Sequence, residues 1–367
     1  MGPRRTPAPH AAHAYVDLGV LESLEEILLP ALSRTPCLVA FSGGRDSSAV
    51  LAVATHTARR CGLDDPIPIT MRYGAHPRTH ESEWQEAVVR HLGLADWQTL
   101  SVRDEFDFLG PIGSQALRRH GLYWPSNAHT MIPLLRAAAQ GTLLTGNGGD
   151  EVFTSLVRPA AMTRVQMLQM LPLKRGLATV VVSLLPLSLK VRAQYQRVMR
   201  LPWLRRSASR EVMSSFVANA VRKRRGEVEY LDELARGRYL ELTLAAFAAF
   251  AEDTDAHLIQ PFLDPRFFRA IRKDSPPGGF QSRGAAMDAF FGQLLPPAVT
   301  RRTTKASFTE VFWGPASRDF ARDWDGSGLD PALVDPHLLR REWVKPRPDA
   351  RSTTPLQAAW LATAGSA

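Results

Sequence analysis

Two stretches hold side chains whose types and spacing could do chemistry. In the first, four apolar residues, Leu38 to Phe41, lead into Ser42-Gly-Gly-Arg-Asp-Ser-Ser48, and Ala49 to Ala58 then reads as a helix with few breakers. In the second, Leu144-Thr-Gly-Asn-Gly-Gly-Asp-Glu-Val-Phe153 again sets glycines and then carboxylates just after a short apolar run. A strand, a glycine turn and a helix aim free backbone N–H groups at an anion, and the helix dipole favours phosphate there. Gly43 and Gly44 let the backbone turn sharply and come close to a ligand, and Ser47 or Ser48 can cap the helix. No lysine follows the glycines, so this is not the G-x-x-x-x-G-K-[ST] phosphate loop. Asp46 stands where a carboxylate can hold Mg²⁺ against a pyrophosphate group. If Asp46 and Asp150 both follow strands of one parallel sheet, they share an edge and can clamp a Mg²⁺–pyrophosphate unit. The plainer alternative is two surface acids in unrelated strand-to-helix turns.

Elements that would position these loops can be read along the chain. Val16 to Leu32 reads as a helix with Leu21, Leu24, Ile27 and Leu28 on one face. Pro66 to Tyr73 is the second strand candidate, Glu81 to Leu92 a helix, Trp97 to Val102 a third strand, Asn127 to Ala139 a helix ended by Gly141, and Thr142 to Thr145 a fourth strand. One helix between successive strands predicts a doubly wound parallel α/β sheet, with the ligand site beyond its carboxyl ends. Residues 1–15 read as disordered, the α/β part as 16–155, and the remainder, 156–367, as mainly helical. No strand is expected after residue 155. Breaks are expected at Pro172, Pro186 and Pro202, an exposed loop at Arg222 to Gly226, and a last helix over Pro355 to Ala364.

Composition bounds the partners. The net charge of +9 is concentrated: Arg158 to Arg225 carries 15 Lys and Arg against one acid, Glu211. That segment suits an acidic peptide, a carrier protein or phosphates. Cys37 and Cys61 lack metal-ligand or redox-pair spacing, which predicts a reducing, cytoplasmic setting without a disulfide, and Cys37 is expected to enter the core strand. The longest apolar run, Leu177 to Leu189, is too short to span a bilayer and contains Pro186, so no integral membrane segment is expected.

The Ser-Gly-Gly-x-Asp-Ser string resembles the pyrophosphatase loop (PP-loop) of enzymes that cut ATP between its α and β phosphates. Together with Thr145-Gly-Asn-Gly-Gly-Asp-Glu-Val-Phe153 it resembles the synthetase domain of the asparagine synthetase family. Gln260-Pro-Phe-Leu-Asp-Pro-Arg266 is similar to that family's Arg-x-Pro-Phe-Leu-Asp, and Leu295-Pro-Pro-Ala-Val-Thr-Arg-Arg-Thr-Thr-Lys-Ala-Ser-Phe308 to its Leu-Pro…Arg-x-Lys-x-x-Phe. The resemblance implies a PP-loop, HUP-like fold and a ligase that adenylates a carboxylate, aspartate or a related acid, with ATP and Mg²⁺. It implies that Ser42, Gly43, Gly44, Asp46 and Ser47 bind the phosphates and that Asp46 and Asp150 hold Mg²⁺. It also implies that Val39, Ala40, Met71 and Gly146 line the nucleoside pocket. Lys305 is implied to stabilise charge on the phosphates and the tetrahedral intermediate, with Arg301 and Arg302 beside it. Glu151, His257, Asp264 and Arg302 are candidates for the substrate side.

Two departures shape the expectation. The family's amidotransferases carry an N-terminal glutaminase with a cysteine after the initiator Met; here residue 2 is Gly and the first strand candidate begins at Leu38. Nitrogen is therefore expected from free ammonia, from an amine in the substrate, or from a separate glutaminase. The family's Glu-x-Arg before Pro-Phe-Leu-Asp is replaced by His257-Leu-Ile-Gln260, which puts aspartate use in question and leaves His257 as either a base or a structural histidine. Two versions fit, an asparagine synthetase using ammonia and a cyclase or amide ligase resembling β-lactam synthetases and lasso-peptide cyclases; both departures and the basic segment favour the second. A tRNA-modifying PP-loop enzyme is the remoter alternative. It is disfavoured, and nucleic acid with it, because no zinc or thiolation cysteine set is visible and because the Pro-Phe-Leu-Asp and Lys305 elements are present.

Overall fold

The structure is a computed structural model that describes residues 18–73, 82–157, 201–223, 237–302 and 309–364. Within them β1 (Cys37–Ala40), β2 (Ile67–Tyr73), β3 (Gln98–Val102), β4 (Thr142–Leu144) and β5 (His257–Ile259) form one parallel sheet in the order β3-β2-β1-β4-β5. Leu38 of β1 lies opposite Ile67 of β2 on one side and Leu143 of β4 on the other. The chain builds outward from β1 to β3 and then returns to the far side of β1, so the strand order reverses between β1 and β4. A crevice opens beyond the carboxyl ends of strands at such a point.

Helices cover both faces. In chain order they are α1 (Val20–Leu32), α2 (Arg45–Arg60), α3 (Ser82–Leu92), α4 (Pro111–His120), α5 (Ile132–Ala137), α6 (Gly149–Ser155), α7 (Arg206–Lys223), α8 (Arg238–Asp253), α9 (Pro265–Asp274) and α10 (Arg283–Phe291). Further helices follow as far as Thr353–Ala364. Successive strand residues point to opposite faces. Val39 therefore enters a core with Leu24, Leu28, Phe153 and Phe291, whereas Leu38 enters one with Leu135, Phe250 and Trp343. Cys37 is buried in β1, and burial pushes its thiol up to about 12. Among the described residues no helix is long and apolar enough to cross a membrane.

The doubly wound parallel sheet expected from the strand–helix alternation is present, with differences in detail, among them that α7 runs on to Lys223, into the stretch where an exposed loop was expected. A fifth strand, β5, follows the point where strands were expected to end. It has only three residues and no alternation of its own, and tertiary hydrogen bonds hold it: His257 N–H donates to the Gly141 carbonyl at 2.9 Å, and Thr145 N–H to the Ile259 carbonyl at 3.1 Å. Helix α2 starts at Arg45 and not at Ala49. Its N-cap is Gly44 with no side-chain cap, so neither Ser47 nor Ser48 caps it; the Ser47 hydroxyl donates to the Gly44 carbonyl at 3.1 Å. The helix expected over Asn127 to Ala139 is a 3₁₀ turn, Ala128–Met131, followed by α5. Pro133 lacks an N–H and restricts the residue before it, so the helix restarts there. Finally, α4 buries only Gly113, Ala116 and Leu117, too narrow a stripe to show as periodicity. Its signals are Pro111 at the start and Gly121 just past the end.

Asp264 precedes Pro265 at the start of α9, and its side chain accepts from Arg266 N–H at 2.8 Å. Replacing a carboxylate cap by alanine removes the acceptor for an otherwise orphaned N–H. Asp264→Ala is expected to lose about 1 kcal/mol of stability, read as a lower urea midpoint with an unchanged slope. An unchanged midpoint would show that this cap carries no weight.

Candidate active site

At the switch point between β1 and β4 lies a cleft of about 600 Å³. Its walls include Ala40 and Phe41 at the end of β1, Ile69 and Met71 of β2, the loop after β1, the loop after β4, and one side of α8. The first loop is folded on its own hydroxyls: Ser47 Oγ lies 3.1 Å from Ser42 Oγ and accepts from Ser42 N–H at 3.2 Å, and Gly44 N–H donates to Ser42 Oγ at 3.2 Å. The Gln85 amide donates to the Ser42 carbonyl at 2.8 Å, and Arg302 donates to the Gly43 carbonyl at 3.2 Å. Arg302 is itself held, its guanidinium 4.9 Å over the Trp84 ring. The loop is thereby set from α3 and from the end of the Pro297–Thr300 helix, while the first turn of α2 presents N–H groups with no intrahelical acceptor.

The second loop packs directly on the first. A Cβ at Gly146 would stand 2.7 Å from the Ser47 nitrogen, and one at Gly149 2.4 Å from Asp46 Cγ. Only hydrogen at these positions lets the two loops approach this closely, which brings Asp46 and Asp150 to one place. Phe153, fully buried, anchors α6 below them against Phe262 and Phe291, with ring centroids at 5.2 and 5.8 Å.

Arg283 joins the two carboxylates. One of its amino groups donates to both oxygens of Asp46 at 2.5 Å and the other to Asp150 Oδ1. Asp46 is the more enclosed of the two, with 19% of its side chain exposed against 51% for Asp150. Burial pushes the Asp46 carboxyl above the ordinary carboxylate range against the pull of Arg283, and the like charge of Asp150 adds to the rise. Burial pulls Arg283 down, but the two carboxylates outweigh it and hold the guanidinium above its usual range.

The site residues named from the sequence fall into four groups. Ala40, Ser42, Asp46, Ser47, Met71, Gly146, Asp150, Glu151 and Arg302 are on the cleft wall with Gly44, and Gly43 stands in the same loop with its carbonyl held by Arg302. Val39 is fully buried beneath the cleft and off its wall. His257 is the first residue of β5, in register with Thr142 at the amino ends of the strands; that edge is opposite the loops, so it is no base at this cleft. Asp264 caps α9 and pairs with Arg266 at 2.8 Å, and Arg301 pairs at the surface with Asp288 at 3.2 Å. Lys305 lies outside the described residues, as does most of the basic segment 158–225.

Sequence reasoning missed Arg283, Gln85 and Trp84. For Arg283 a signal existed. Ser282 caps α10, accepting from Ala285 N–H at 3.1 Å, and a cation at the next position opposes the helix dipole. A residue that breaks a local rule points to a demand from elsewhere.

The cleft suits ATP and Mg²⁺ on the chemistry of its donors. The glycine contacts form a cradle that a Cβ would fill, the apolar ends of β1 and β2 suit a nucleobase, and Arg45 and Arg302 suit phosphates. Two carboxylates are hard oxygen ligands of the kind Mg²⁺ takes together with phosphate oxygens. Among the described residues no third His, Cys, Asp or Glu joins them. The family model described as asparagine synthase matches residues 22–364. Comparison with curated proteins finds no match.

Proposed function

The chain belongs to the asparagine synthase family of ATP-dependent amide ligases, and on that premise we propose that it forms AMP and pyrophosphate while adenylating a carboxylate for attack by ammonia or an amine. The observation that carries the reading is the convergence of two glycine loops at the switch point, which brings Asp46 and Asp150 within reach of one guanidinium. The loop Ser42 to Ser47 and the first turn of α2 would receive the pyrophosphate part of ATP, with Arg45 and Arg302 balancing its charge. Ala40, Ile69 and Met71 would hold the base. Mg²⁺ held by Asp46 and Asp150 would neutralise charge on the phosphates.

A substrate carboxylate oxygen attacks the α-phosphorus, the bond to the β-phosphate oxygen breaks, and pyrophosphate leaves. The amine then attacks the activated carbonyl, AMP leaves with the bridging oxygen, and the amine proton is lost to a base. Glu151, on the cleft wall beside Gly148, is our candidate for that base. Lys305 takes the role that the family motif implies, countering charge as it develops. Holding both reactants in one cleft makes the amide step effectively unimolecular.

A second reading, a cyclase that closes a lactam within one substrate, is favoured by a specific observation. The Glu-x-Arg stretch is absent, His257 does not face the cleft in its place, and α8 contributes an apolar wall of Tyr239, Leu240 and Phe247. Such a wall suits a larger acid better than aspartate. In either reading the basic segment 158–225 would dock an acidic carrier, a peptide or a separate glutaminase, in a cytoplasmic setting that suits the two free cysteines.

Isotope exchange between pyrophosphate and ATP, with Mg²⁺ and a panel of acids, tests the proposal. Exchange that depends on one acid supports it, and ammonium is then tried as acceptor. A product lighter by one water, formed without ammonium, selects the cyclase. ATP cleaved to ADP without exchange overturns both readings.

A further inference from the structure

We infer that Arg283 is a positioning residue that competes with the divalent cation for the Asp46–Asp150 pair. The inference rests on the reading of those two aspartates as the metal-holding pair.

The geometry is that of a counter-cation. Asp46 and Asp150 come from separate loops, after β1 and after β4, and two carboxylates brought together repel. Arg283 reaches them from a third element, α10, with one amino group on Asp46 and the other on Asp150. Its side chain is only 16% exposed, and its Nε is buried with no partner among the described residues. The guanidinium fork matches paired carboxylates, and such charge-assisted bonds are the strong ones. Oxygens that accept these bonds cannot at the same time offer the same lone pairs to a metal between them. Arg283 therefore keeps the loops in register, while its charge and its bonds to Asp46 Oδ1, Asp46 Oδ2 and Asp150 Oδ1 oppose a divalent ion on the same pair.

This separates competition from mere support. If Arg283 only braced the loops, its loss would loosen the pair and weaken metal binding. Competition makes the opposite prediction. Mn²⁺ binding to the full chain is measured by electron paramagnetic resonance, without nucleotide. Arg283→Gln is expected to bind Mn²⁺ about tenfold more tightly than the parent, and Asp46→Asn in the Arg283→Gln background to abolish the gain. Arg283→Lys keeps the charge but loses the fork, and is expected to bind several-fold more tightly than the parent; it carries the test if Arg283→Gln fails to fold. Mn²⁺ affinity that is unchanged or weaker in the folded variants overturns the inference.

The two failures are distinguishable. Pyrophosphate exchange with a metal affinity indifferent to Arg283 sinks the competition and leaves the ligase. ATP cleaved to ADP without exchange, beside tighter Mn²⁺ binding in Arg283→Gln, sinks the ligase reading and leaves the competition.

Discussion

Asp46→Asn is expected to lower pyrophosphate exchange about 10³-fold, the largest effect of any single substitution considered for this protein. Three contributions are lost together. Asp46 stands in the first turn of α2, where a carboxylate is favoured, and it is the more enclosed member of the pair. It also takes both bonds from one amino group of Arg283. An amide keeps the shape, yet it offers no charge to a metal, only one oxygen to accept from Arg283, and leaves Asp150 as the one carboxylate on that guanidinium. The fold should survive, because the pair lies at the cleft and not in either apolar core; the loss of stability should be about 1–3 kcal/mol, the usual range for a part-buried charge partner removed. Exchange rate and urea midpoint measured on one preparation check both halves. A variant that retains a tenth of the parent rate removes Asp46 from the chemistry.

Gly149→Ala should lower exchange about 10²-fold, although the same change inside an ordinary helix adds about 1 kcal/mol of stability. Gly149 is the first residue of α6, and its added Cβ would lie 2.4 Å from Asp46 Cγ and 2.8 Å from Asp46 Oδ1. The carboxylate must move, and with it the convergence of the two loops. The mechanism predicts a specific coupling: in the Asp46→Gly background, which removes Cβ as well as the carboxylate, the clash is relieved, so adding Gly149→Ala should cost little more. A double-mutant cycle on the exchange rate reads this directly. Additive losses would mean that Gly149 acts by some route other than Asp46.

Much of this arrangement was legible in the residues, because its signals are local. A short apolar run, a glycine turn and a helix start at Leu38 to Ser48 announce a strand-to-helix loop whatever the remainder of the chain does. The same holds for Thr142 to Phe153. Repetition of strand and helix between them implies parallel pairing, and parallel pairing places both loops at one edge. His257 and Asp264 show where motif reasoning stops. Each sits in a stretch that resembles a functional motif, yet one opens a strand at the far edge of the sheet and the other caps a helix. Three-residue β5 left no trace because its pairing is entirely with residues distant in sequence.

What the sequence by itself determined, then, is the chemistry on offer: two carboxylates after glycine turns, and an alternation that can only wind into a parallel sheet. The meeting of those groups was decided by tertiary structure. Arg283 lies 237 residues from Asp46 and 133 from Asp150, and no periodicity relates them. Packing of Phe153 on Phe262 and Phe291 sets α6 beside α10, and the missing side chains of Gly146 and Gly149 let the loops touch. The physical reason is range: hydrogen bonding within a turn or a helix is written in neighbouring residues, whereas the approach of charges from three separate elements depends on how two apolar cores close around the sheet.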